Sequence, residues 1–320
     1  MELVSHHYCD GRWKSDNDKN TQVTKPGDSH LSPPRKKRVM VNLLIALSVT
    51  ILLVTLRARV KGTTLLASWI WAIVSIWSIA IARFFESSPE VSYCASVLIF
   101  CPVMSALGAR RPQNRAWEFI TASLWIILAL PALEVLFARQ GESFDVRGLR
   151  SWFFVVLIFV SVSNIALSRF WICGILVGIA QVLLVSEFLP TWFQFSTEFS
   201  ETIALVVAAI AIILACLLRA PDRSSRSGID RIWLRYRDTF GGLWAVRTCE
   251  SINAYARMQD WEIRLTWDAF VALDGQPWSD HAGSSDEELM KRINLLLKNQ
   301  LHRFVDDTWI EACLESLSDH

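Results

Sequence analysis

Residues 151–190 form a stretch of 40 residues that is almost wholly apolar, in which Arg169 is the only charge near the middle. As a single helix it would be about 60 Å long, twice the thickness of a bilayer's hydrocarbon core. It has to turn. Arg169, set between Ser168 and the pair Phe170 and Trp171, marks where a tight hairpin falls. Each half is then about 20 residues, the length at which a helix spans hydrocarbon with every backbone amide satisfied internally.

Seven segments meet or approach that length: 39–56, 65–82, 91–107, 116–137, 151–168, 171–190 and 202–218. The third is short and carries Pro102, so a re-entrant or tilted element also fits there. The composition agrees, with 52% apolar and 20% charged residues, where a soluble domain holds about a quarter charged. The sequence therefore predicts an all-α integral membrane protein, a bundle of about seven transmembrane helices followed by a mainly helical soluble C-terminal tail. Trp117, Trp152, Trp171 and Trp192 lie at segment ends, where an indole suits the headgroup level, and Trp125 lies inside one.

Lys and Arg set the orientation. The loops after segments one, three, five and seven carry ten of them and the alternate loops four, which points to a cell (inner) membrane with the C-terminal tail in the cytoplasm. Arg35, Lys36, Lys37 and Arg38 run against this pattern, being on the far side if all seven segments cross. Residues 1–38 lack apolar periodicity and read as a disordered polar tail. A start of translation at Met40 instead of Met1 would remove the conflict.

Residues 219–320 change character and form a predicted cytoplasmic domain, entered through Pro221 and a Ser-, Gly- and Arg-rich linker. Trp233, Tyr236, Phe240 and Trp244 recur at three- and four-residue steps beside Arg231, Arg235 and Arg237, a stripe suited to docking a protein partner, another copy or the membrane surface. The same stripe equally suits the tail's own core. Gly241 and Gly242 weaken continuation of that helix. Trp261, Ile263, Leu265 and Trp267 alternate with polar residues, as in a half-buried strand, yet no partner strand is evident.

Charges and amides inside oily segments are the first candidates for function. Glu134, which follows Pro131, together with Asn164 and Gln181, forms a candidate intramembrane polar site. Arg110, Arg111 and Arg115 are a candidate contact for anionic headgroups, and topology-setting serves as well. Gly174 and Gly178 permit close approach of another helix. All six histidines lie outside the apolar segments, and the seven cysteines are odd in number and scattered, so no haem, metal or other cofactor and no disulfide framework is expected. No nucleophile with an adjacent base is visible, and the near-neutral charge argues against nucleic acid as a partner. The expectation is a multi-pass protein in the lipid bilayer, non-enzymatic, whose tail docks a partner or the membrane surface. The alternative is a transporter or channel for a small solute.

Overall fold

The computed structural model describes residues 35–82, 88–110, 114–138, 146, 148–194, 199–218, 227–276, 278 and 286–315. Arg35–His320 form one compact unit. The predicted polar extension is shorter than 38 residues, because Arg35–Arg38 already belong to the first helix; residues 1–34 lie outside the described residues, as do linker residues 219–226.

The bundle comprises α1 (Arg35–Val60), α2 (Leu66–Ala82), α3 (Pro89–Val97), α4 (Cys101–Leu107), α5 (Asn114–Phe137), α6 (Leu149–Ala166), α7 (Trp171–Val185) and α8 (Ser200–Leu217). Taking α3 and α4 as one segment, six of these helices are long and apolar enough to cross a membrane. The seventh apolar helix, α2, has 17 residues, or about 25 Å.

Indole donors tie neighbouring helices of the bundle together. Trp69 Nε1 on α2 donates to Leu53 O on α1, Trp117 Nε1 on α5 to Met104 O, and Trp125 Nε1 to Cys94 O. Pro102 has no N–H to offer Leu98 O. The chain accordingly tightens to a 3₁₀ turn over Leu98–Phe100, and Ser75 Oγ donates to that carbonyl at 2.6 Å. The 151–190 stretch turns at Ser168–Phe170 into α6 and α7, which pack closely where Gly174 faces Ile165 and Gly178 faces Val162. Side chains at those two glycines would overlap α6, so they serve packing within the bundle.

The tail comprises α9 (Gly228–Phe240), α10 (Gly242–Met258), β1 (Ile263–Leu265), β2 (Phe270–Ala272), α11 (Asp286–Leu301) and α12 (Asp307–Glu315). Ser227 accepts from Asp230 N and caps α9. The strand read from residues 261–267 is shorter than its alternation and has a partner: β1 pairs antiparallel with β2, Leu265 opposite Phe270. Its other edge is satisfied by one side chain. Asn253 Nδ2 donates to Leu265 O at 2.8 Å, and Leu265 N donates back to Asn253 Oδ1 at 2.7 Å. An amide on α10 thus supplies the two contacts a third strand would make.

The Trp233 stripe is a core and not a docking surface. Trp233, Tyr236 and Phe240 are buried, stacked along α9 with Phe304 against Tyr236 and Phe240. Trp244 is half-buried and its Nε1 donates to Ala106 O of the bundle. The reason is area: these rings are large apolar surfaces, and folding removes them from water. Burial pushes the Tyr236 hydroxyl up and the Cys313 thiol up to about 11, Arg235 acting against the latter shift. Both groups are neutral at physiological pH.

Candidate functional site

Three bundle loops meet the tail, and each contact has a sequence reason. Between α1 and α2, Gly62 adopts φ +77°, and its open α-carbon lies against the Asp306 carboxylate. Asp306 N donates to Gly62 O and Thr64 N donates to Phe304 O, both at 2.9 Å, making a short antiparallel bridge between Thr63 and Val305. Beyond α4, Ala109 O accepts from Thr64 Oγ1 at 2.7 Å, and Leu65 and Ala109 join the tail's core. At the α6–α7 turn, Asn164 Oδ1 accepts from Leu243 N at 3.1 Å, so a residue at the end of one helix caps the start of another.

Gly241 carries this last contact. Its φ of +81° ends α9, and a Cβ there would stand 2.7 Å from Asn164 O and both amide atoms of its side chain. Gly242 lies equally close to Leu167. The Gly241–Gly242 pair read as a weakness in a helix is the point where two helices and the bundle come together.

Beside it sits a charge cluster built around the buried Asp238 and Arg237. Asp238 pairs with Arg169 at 3.4 Å and with Arg237 at 3.2 Å, while Arg237 reaches Asp268 at 2.9 Å and donates to Trp267 O. Arg169 also lies over the Phe170 ring, 4.5 Å from its centroid. One carboxylate thus faces a guanidinium from the bundle and another from its own helix. Arg169, which marks the hairpin in sequence, also makes an ionic contact between the bundle and the tail.

Above this junction a cavity of about 400 Å³ runs into the bundle, lined by α1, α2, α4, α6, α7 and α8 and walled on the tail side by Asp238–Gly241. Most of its lining is apolar, including Leu53, Trp69, Ile165 and Val177. Its polar side chains are few, and three of them are unpartnered among the described residues. Gln181 is fully buried, and among the described residues neither Oε1 nor Nε2 has a hydrogen-bond partner. The same holds for Ser161 Oγ and Ser68 Oγ. Ten residues into α7, Gln181 lies about 15 Å from the tail-side end, near mid-depth. Pro102 and Ile99, at the break between α3 and α4, also line this space.

The structure divides the polar trio expected inside the membrane. Asn164 and Gln181 line the cavity; Glu134 does not. It is exposed, near the end of α5 remote from the tail, on a helix that contributes no residue to the lining. The physical reason is that α5 packs at the bundle's side, chiefly against α3 and α4, and leaves Glu134 exposed. Of the arginine cluster, Arg110 is exposed just beyond Ala109, Arg111 lies outside the described residues, and nothing is described of the Arg115 side chain. Sequence reasoning passed over Ser161 and Ser68. A signal existed for the first: Ser161 and Asn164 stand three residues apart within an apolar run, which puts them on one face of α6. Among the described residues no group of three His, Cys, Asp or Glu side chains converges. Comparison with family models, curated proteins and solved structures gives no match.

Proposed function

We propose that this chain is a cell-membrane protein whose seven apolar segments all cross the bilayer, with the tail in the cytoplasm, and that it binds a small uncharged solute in the junction cavity and passes it through the bundle. The observation that carries the solute reading is Gln181 in that cavity's wall, its side chain buried and both ends of its amide unpartnered among the described residues. A buried amide without partners costs stability, about 1–3 kcal/mol for each unsatisfied group. Such a cost is typical of sites kept for a ligand. The broken α3–α4 segment in the cavity wall supports it, since interrupted helices near mid-depth are a frequent feature of solute pathways. The tail, docked on its own bundle at three loops, serves in this reading as the inner wall of the pathway.

The seven-span topology rests on the loops that meet the tail. Those after α1, α4 and α6 belong to the set holding ten of the fourteen loop Lys and Arg residues. Cysteines introduced at Gly148 and Leu273 are expected to react with an impermeant maleimide from opposite sides of sealed vesicles. Labelling of both from one side would refute the count of seven.

Transport is measured by osmotic swelling of proteoliposomes in urea, acetamide and glycerol. Wild-type protein is expected to swell vesicles faster than lipid alone in at least one of these, and Ser161→Trp, which fills the cavity, to abolish the gain. Swelling no faster than that of protein-free vesicles, or undiminished by Ser161→Trp in protein of unchanged helicity, would remove the pathway.

A further inference from the structure

Building on the solute reading, we infer that the cavity recognises a neutral compound carrying a cis or primary amide on a compact apolar body. Gln181 presents one acceptor and one two-proton donor, side by side on a planar group. Both are buried, and both lack a partner among the described residues. The group that satisfies the two at once, through a pair of antiparallel hydrogen bonds, is another amide edge with its own carbonyl and N–H on the same side. A lactam has that edge built in. Ser161 Oγ and Ser68 Oγ offer further hydrogen bonds, and the remaining wall, with Val177, Ile165 and Trp69, suits hydrocarbon.

Charge selects against the alternatives. A carboxylate has no proton to give Gln181 Oε1 and would set two acceptors face to face. An ammonium would meet Asp238 as the carboxylate at the cavity wall, and Asp238 is engaged by Arg169 and Arg237. A ketone satisfies Nε2 and leaves Oε1 bare. Sites built to pair a polar group reject analogues that lack it strongly, because a buried donor or acceptor then goes unmatched.

Three seven-membered rings of nearly equal volume test this on the full-length protein in detergent, by saturation-transfer NMR and its concentration dependence. They are ε-caprolactam, cycloheptanone and azepane, the last a cation at neutral pH. Caprolactam is expected to bind saturably and at least about tenfold more tightly than either analogue. Gln181→Leu, similar in shape and without the amide, is expected to reduce caprolactam to the level of cycloheptanone. Equal binding of the three rings, or a caprolactam preference that survives in Gln181→Leu, overturns the inference. Should that variant not fold, the ranking of the rings on the wild-type chain decides. Amide-selective binding without vesicle swelling would sink transport and keep the ligand class, whereas swelling without amide preference would do the reverse.

Discussion

Replacing Asp238 with alanine is expected to release the tail from the α6–α7 turn while leaving the bundle helices formed. Its side chain is only 4% exposed, and it faces two guanidiniums, Arg169 from the bundle and Arg237 from its own helix. Removing one partner of a buried ion pair costs about 3–5 kcal/mol, because the charge left behind is no longer compensated. Arg237 keeps Asp268 and Trp267 O, so most of the penalty falls on the inter-domain contact with Arg169. Hydrogen–deuterium exchange reads it directly. The Leu243 amide, protected by Asn164, should exchange about a hundredfold faster or more, since about 3 kcal/mol corresponds to that ratio. Amides within α7 should stay protected. Unchanged exchange over 241–245 would show that the cluster does not hold the tail.

A second large effect is expected for Gly241→Val. Two penalties act together at this position. The backbone φ of +81° is unfavourable for a β-branched residue, by about 1–3 kcal/mol. The new Cβ would stand 2.7 Å from the Asn164 carbonyl oxygen, a backbone atom that cannot rotate away, and overpacking of this kind adds about 1–3 kcal/mol. Gly275→Val is the matched control. Gly275 has φ +89°, and a Cβ added there would meet no atom within 4 Å, so the substitution carries the backbone strain alone. The fall in thermal midpoint should be clearly larger for Gly241→Val, with raised exchange at Leu243. Equal falls would show that the approach to Asn164 contributes nothing.

The apolar helices were legible because hydrocarbon imposes a length on apolar runs, and the turn at Arg169 followed from arithmetic on 40 residues. The short strand at Ile263 was visible through its period of two, but its partners were not. β2 contributes three residues, and Asn253 replaces a strand with a side chain, which leaves no periodic trace. The stripe from Trp233 to Trp244 was plain as a pattern, and its destination was not, since burial inside the tail and docking elsewhere demand the same spacing. The cavity was half legible. Gln181 and Asn164 stand out as amides among hydrocarbon, whereas pairing of Arg169 with Asp238 joins residues far apart in the chain and has no local signature. Glu134 stood out for the same reason as the amides, and only the peripheral packing of α5 separates it from them.

The bridge between Thr63 and Val305 joins the first hairpin of the bundle to the turn that leads into α12. During synthesis the apolar helices leave the ribosome long before residue 305 exists, so the tail-side end of the bundle stays uncovered until that turn has been made. A nascent chain stalled or truncated before that point would carry its apolar helices with Gly62 O and the Thr64 amide unclaimed by the tail, a mark that separates it from the finished molecule.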